Sequence, residues 1–339
     1  VSGKKVRLLA GVSVLAVAAA GLAGCGGRQG GAAQDDTASE VTCEVARDTR
    51  VGIATGNSTG VYYVVGNALA GQLPAATGGR LTGTAAETGA SVQNIEQLVA
   101  GQYDVAFSLF DTAVNAVQGK ESFSSAQPVQ ALARIYDNYT QVVVRNDAGI
   151  SSVADMRGKR ISTGSPKSGT EVIAHRLLQA AGLDPAKDIQ AQRLDLTKTV
   201  EGMKDGSIDA FFWSGGLPTG GVTDLFTTAG DRVRFLDITP LLPKMAELNP
   251  AYQAGTIGRD AYRTAADTPT IVVPNVLLVR TNLDANVACA ITRTLFDRKD
   301  ALAQANPAAK GISLENARRT DPVPLHRGAE KALQELGAR

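Results

Sequence analysis

The sequence predicts an α/β protein of two lobes, with mainly parallel sheets, helices on both faces and a two-strand hinge. Three observations predict it. A strand-like run, Val51–Thr55, enters a loop of glycines and hydroxyls, Gly56–Gly60, and a helical pattern follows. The same order returns later, as strand Arg160–Thr163, loop Gly164–Gly169 and a helix from Thr170. Two long apolar strands, Tyr139–Arg145 and Thr270–Arg280, are placed to carry the chain out of one lobe and back into it.

The chain has 339 residues, 44% hydrophobic and 5% aromatic, enough for two ordinary cores. Its formal net charge of +1 gives no reason to expect nucleic acid as a partner, and no basic run interleaved with aromatics changes that. A monomer is expected.

The first residues read as an export signal. Lys4, Lys5 and Arg7 precede an apolar run from Leu8 to Ala23, which ends in Leu22-Ala23-Gly24-Cys25. That ending resembles the bacterial lipoprotein lipobox. Residues 1–25 are then a signal peptide with Cys25 as the lipidated first mature residue, and 26–40 form a flexible tether rich in Gly, Ala, Gln and Asp. A membrane-spanning anchor is the alternative, although the apolar run is short against the roughly 20 residues a span needs. Either way the folded part is expected outside the cytoplasm, attached to the outer face of the cell membrane. In such a compartment Cys43 and Cys289 are expected to pair as a disulfide, with two separate buried thiols as the alternative.

Within the first unit, helix Ser91–Ala100 places Val92, Ile95, Leu98 and Val99 on one face, and Gly101-Gln-Tyr-Asp104 leads into strand Val105–Ser108. Within the second, a helix from about Thr197 to Asp205 and Gly206-Ser-Ile-Asp209 lead into strand Ala210–Trp213. Gly60 and Gly169 are 109 positions apart, Asp104 and Asp209 105, so the units match in order and nearly in spacing. Strands alternating with helices imply parallel pairing. The expected lobes are 41–140 with 275–339, and 141–274. Ligands bind outside the carboxyl ends of the strands in open α/β sheets, so the loops after Thr55, Ser108, Thr163 and Trp213 are expected to face one cleft.

Several chemistries compete for these loops. Gly56-Asn-Ser58-Thr-Gly60 reads as G-x-S-x-G, and Ser58, an acid and His326 follow the hydrolase chain order. A hydrolase elbow needs earlier strands to supply its oxyanion amides, and only a tether precedes this one, so a serine hydrolase is a remote alternative. Gly164–Gly169 has the spacing of a phosphate loop, but Thr170 stands where its lysine belongs. His175 and His326 are 151 positions apart with no clustered ligands, so neither a metal nor another cofactor is expected. Ser168-Gly-Thr-Glu171 reads as a capping box, with Ser168 as N-cap and Glu171 reaching back. Ser58-Thr-Gly-Val-Tyr62 offers a comparable helix start. Such starts carry unpaired N–H donors and partial positive charge, and bind anions.

A family resemblance rests on seven motifs in order. They are Ser58-Thr-Gly-Val-Tyr-Tyr63, Thr88-Gly-Ala-Ser-Val-Gln-Asn94, Gly101-Gln-Tyr-Asp-Val-Ala-Phe107, Ser152-Val-Ala-Asp-Met-Arg-Gly-Lys-Arg160, Gly164-Ser-Pro-Lys-Ser-Gly-Thr-Glu171, Asp205-Gly-Ser-Ile-Asp-Ala-Phe-Phe212 and Pro322-Val-Pro-Leu-His-Arg-Gly-Ala-Glu330. Over about residues 49–330 the chain resembles the TAXI-type solute receptors of TRAP transporters. The resemblance implies a type II periplasmic-binding-protein-like fold and no enzymatic activity. It implies a receptor that takes a small organic anion, an amino acid such as glutamate or a dicarboxylate, to TRAP-type permease subunits. A receptor of an ABC transporter, or a ligand sensor, is the alternative. The chain departs from the family at Gly60-Val61, where a second glycine is frequent, at Leu109-Phe110 before Asp111, and at the bulky Trp213-Ser-Gly-Gly216. The expected ligand-binding residues are Ser58, Thr59, Gly60, Tyr62, Asn94, Ser108, Asp111, Tyr136, Ser165, Ser168, Gly169, Thr170 and Trp213. Phe110 is a further candidate for the pocket wall. Asp111 and Glu87 are read either as partners of a ligand amine or as solvated loop acids, and Arg134 as a carboxylate clamp without a motif.

Overall fold

Strands come first in the chain and set the frame. The computed structural model describes residues 40–339. Among them ten strands form one sheet: β1 (Thr49–Ala54), β2 (Leu81–Ala86), β3 (Val105–Leu109), β4 (Val129–Arg145), β5 (Arg160–Ser162), β6 (Gln190–Gln192), β7 (Ala210–Gly215), β8 (Val233–Phe235), β9 (Gln253–Ile257) and β10 (Thr268–Arg280). The order is β2-β1-β3-β10-β4-β7-β5-β6, with β8 against β4 and β9 against β10. The left half, β2-β1-β3-β10, is repeated in reverse on the right as β6-β5-β7-β4. The duplication read from loop spacing is thus a duplication of topology. β1 runs parallel to β2 and β3, and β5 parallel to β6 and β7. The centre, from β3 through β10 and β4 to β7, is antiparallel. The sheets expected as two are joined through β10 and β4, the two long strands read as a hinge.

The helices are α1 (Val61–Ala76), α2 (Ser91–Val99), α3 (Phe110–Gln118), α4 (Gly169–Ala180), α5 (Leu196–Asp205), α6 (Gly220–Ala229), α7 (Leu242–Leu248), α8 (Arg259–Tyr262), α9 (Ala285–Asp297), α10 (Lys299–Ala305), α11 (Leu314–Ala317) and α12 (Arg327–Glu335). They cover both faces. β3 is buried along its whole length, as a strand covered on both faces should be. Val92, Ile95 and Leu98 form the buried stripe of α2. Gly206 ends α5 at φ 84°, where a Cβ would also run into the Arg145 guanidinium. One apolar cluster joins α2 and α3 of the first half to α4 and α7 of the second, including Ile95, Leu109, Ile173 and Leu177. The opposite faces carry separate clusters, around Leu69 and Ile291 and around Val200 and Leu225.

Cys43 and Cys289 are joined in a disulfide, with Cα atoms 4.9 Å apart. Beside it the amides of Thr42 and Cys43 both donate to Asn286 Oδ1, at 2.8 and 3.0 Å. Cys25, the signal peptide and all of the tether except Glu40 lie outside the described residues. Among the described residues no helix is long and apolar enough to cross a membrane.

Candidate functional site

Five strand ends deliver the loops that meet at one cavity. After β1 the chain turns through Gly56 and Asn57 and starts α1 at Val61, with Gly60 as an extended N-cap. After β2 it passes Gly89 and starts α2 at Ser91. Here Ala90 is the N-cap at φ 77°, a region non-glycine residues enter at a cost of about 1–3 kcal/mol and mostly at functional sites. β3 ends at Leu109. β5 leads through Ser165 to Ser168, the N-cap of α4, and β7 ends in Trp213, Ser214 and Gly215. These residues, with Tyr62, Gly169, Thr170 and Asn138, line a cavity of about 440 Å³ counting its mouth.

None of the lining side chains carries a charge. The field comes from the backbone. α1, α2 and α4 all start at the cavity, and the first amides of a helix have no intrahelical acceptor. α1 and α2 have neither a side-chain cap nor an acid in the first turn, so the leading amides of α1 stay open, as do those of Ser91 and Val92 in α2, where the Gln93 amide is taken by Lys167 O. In α4 the Glu171 N–H donates to Ser168 Oγ at 2.9 Å, which leaves the Gly169 and Thr170 amides ahead of it. Glu171 is paired with Arg193, which offsets its charge at this helix start.

The halves touch closely around the cavity. Asn57 Oδ1 accepts from the Leu196 amide at 3.1 Å and shares Ser165, while the Gln93 amide donates to Lys167 O at 3.0 Å. Gly169 is required here: a Cβ on it would come within 2.9 Å of Leu109 Cγ and 2.7 Å of Ser91 Oγ. The cavity floor is polar and neutral. The Tyr62 hydroxyl donates to Asn275 Oδ1, and Asn275 Nδ2 donates to Tyr136 O and Asn138 Oδ1, both at 2.8 Å. Burial pushes the Tyr62 pKa well up, so the phenol stays protonated.

Among the expected residues, Gly60, Tyr62, Ser165, Ser168, Gly169, Thr170 and Trp213 are brought together on the cavity. Thr170 Oγ1 already accepts from the Ser214 amide at 3.1 Å. Ser58 is exposed and off the cavity, its amide donating to Glu87 at 2.9 Å. Thr59 turns its hydroxyl into a buried position without a partner among the described residues, also off the cavity. Asn94 and Ser108 are buried behind the wall. Asn94 Nδ2 donates to Thr55 O and Phe107 O, and Ser108 Oγ donates to Leu109 O. Tyr136 is buried beneath the floor.

Asp111 is neither a ligand partner on the cavity nor a solvated acid. It is fully buried, with its Oδ2 2.7 Å from Arg176 Nη1, and it accepts from the Tyr252 hydroxyl. Arg176 also reaches Glu121 at 2.8 Å. Burial alone would lower the Arg176 pKa, but Asp111, Tyr252 and Glu121 outweigh it and hold the guanidinium above its ordinary value. Arg134 is paired with Asp137 rather than set in the cavity. The capping box is shifted by one residue, since Glu171 accepts from the Lys167 amide and Ser168 N–H donates to Ser165 O. His326 is the N-cap of α12, with its ring at the Leu283 carbonyl and the Gly328 amide.

Asn57, Ala90, Ser91, Leu109, Asn138, Ser214 and Gly215 also line the cavity and were not among the expected ligand-binding residues. Ser91 sits inside a quoted motif, and its place after the second strand was the available signal. Ser214 is buried, lines the cavity and has a hydroxyl with no partner among the described residues.

A sheet of two mirrored halves with a cavity where their helix starts meet defines a class, the type II fold of periplasmic solute-binding proteins. The chain belongs to the NMT1-like family, whose model matches residues 53–337. Its fold is similar to that of a solved protein from Bordetella bronchiseptica RB50, at 19% identity over 84% of this chain and 82% of that one, with a TM-score of 0.50. It is also similar to a putative L-cystine ABC transporter protein from Listeria monocytogenes, at 13% identity, 79% and 98% coverage and a TM-score of 0.49. The periplasmic aliphatic sulphonate binding protein of Escherichia coli matches at 14% identity, 84% and 82% coverage and a TM-score of 0.46.

Proposed function

We propose that the protein is an extracytoplasmic solute receptor that binds a small organic anion in this cavity and hands it to a membrane carrier. One observation carries the reading: open helix starts from both halves, α1 and α2 on one side and α4 on the other, converge on a single uncharged cavity. An anion held by both sides favours the state in which both reach it, so ligand binding and closure of the halves are coupled. The lobes that close are 41–140 with 275–339, and 141–274, turning on β4 and β10. Release to the carrier requires them to part again. The motifs shared with TAXI-type receptors support a TRAP-type permease as the partner, and the Leu22-Ala-Gly-Cys25 sequence supports a lipid anchor on the outer face of the membrane.

Titration calorimetry against a panel of organic acids tests the receptor reading. Saturable one-to-one binding with the ligand recovered unchanged is the expected result. Gly169→Ala, which forces the start of α4 away from Leu109 and Ser91, is expected to weaken it at least ten-fold. Conversion of the ligand, or no saturable binding by any acid, would refute the reading. Uptake into vesicles carrying the permease separates the carriers: an ion gradient drives a TRAP system, ATP an ABC system.

A further inference from the structure

Resting on the receptor reading above, we infer that the solute is a short acid with one carboxylate and no ammonium group. The lining chemistry is one-sided. Open backbone donors stand at three helix starts, while no carboxylate lines the cavity. The four acids within two positions of a lining residue are all engaged off the cavity: Glu171 with Arg193 and the Lys167 amide, Asp137 with Arg134, Asp111 with Arg176 and Tyr252, and Glu87 with the Ser58 amide. The neutral acceptors are engaged too. Asn57 Oδ1 takes the Leu196 amide, Asn138 Oδ1 takes Asn275, Ser91 Oγ takes the Leu109 amide, and Thr170 Oγ1 takes the Ser214 amide.

An ammonium group entering this space would leave water with no opposite charge to meet and few acceptors to bond, which is among the costliest burials available to a ligand. A carboxylate meets the reverse situation. The hydroxyl of Ser214 is an independent sign of a polar ligand atom, because it is buried on the lining with no partner, and buried polar atoms are otherwise almost always bonded. The remaining wall, formed by Val61, Ala90, Leu109 and Trp213, is apolar and suits a short carbon skeleton. A second carboxylate would sit close to the first with no cation among the lining side chains to separate them. The solute class is therefore short alkanoates and their 2-hydroxy and 2-oxo forms.

The test is calorimetry on the mature chain with matched three-carbon skeletons, propionate, L-lactate and pyruvate against L-alanine, with succinate and L-glutamate beside them. At least one of the three monocarboxylates is expected to bind a hundred-fold or more tighter than alanine, succinate and glutamate. Ser214→Ala is expected to weaken that acid about ten-fold with an unchanged melting temperature. Tighter or equal binding of alanine, glutamate or succinate would overturn the inference and leave the receptor reading standing. Binding of none of the six overturns the inference too, and if the wider acid panel also fails, the receptor reading falls with it.

Discussion

Arg176 shows how a single residue joins the halves. It projects from α4, in the second half, to Asp111 and Glu121 of the first, and only 5% of its side chain is exposed. Removing one member of a buried charge pair strands the other, typically at about 3–5 kcal/mol. Arg176→Met is expected to lower stability by that amount in urea unfolding, and Asp111→Asn by a similar one. Arg176→Met combined with Asp111→Leu should recover part of the loss, because the stranded charge is gone. None of this was legible in the sequence. Asp111, Arg176 and Tyr252 lie 65 and 76 positions apart in turn, and no local pattern marks an acid that will be matched from the other half. The same holds for Asn57, whose partners Ser165 and Leu196 are 108 and 139 positions away. Ser58 misled for the opposite reason. Its motif is local and conspicuous, but the helix starts two residues later at the Gly60 N-cap, which leaves the Ser58 side chain outside the cavity.

At the scale of elements the sequence was far more readable. Strand–loop–helix order depends on local periodicity and on glycine placement, and both survive in the chain as written. The predicted bounds of α2, α5, β3 and β7 fall within two residues of those observed. β8 and β9 escaped because three- and five-residue strands at a sheet margin carry little alternation. One element pairing gives a pH prediction. Asp209, at the entry to β7, accepts from the backbone amide and guanidinium of Arg160 on β5. The guanidinium hydrogen bond is the main cause holding its carboxyl below the ordinary range, against an opposing effect of burial. A depressed folded pKa contributes stability above the unfolded value, about 3.9, and that contribution disappears as pH falls through the folded value. Asp209→Asn is therefore expected to be less stable than the wild type at pH 7, with the gap narrowing steadily below about pH 4. Urea midpoints measured across that range check it, and a gap independent of pH would contradict it.

For the whole molecule the disulfide is the longest-range constraint. It closes a loop of 246 positions that contains all ten strands of the sheet. Cross-links of this kind contribute about 2–5 kcal/mol, chiefly by restricting the unfolded chain. Cys43→Ser with Cys289→Ser is expected to lower unfolding stability by that amount while leaving ligand affinity unchanged, since neither cysteine lines the cavity. The same bond also decides how force enters the protein. A pull on the chain ahead of residue 43 does not reach β1 first. It passes through the sulfur bridge, and through the two hydrogen bonds that the Thr42 and Cys43 amides donate to Asn286, into α9. α9 packs against α12 and α1, so tension spreads over a helical layer instead of peeling β1 out of the sheet strand-first. The loops after β1, β2, β5 and β7 are then shielded from jostling at the N-terminal end of the fold, and a tug there leaves the cavity undisturbed.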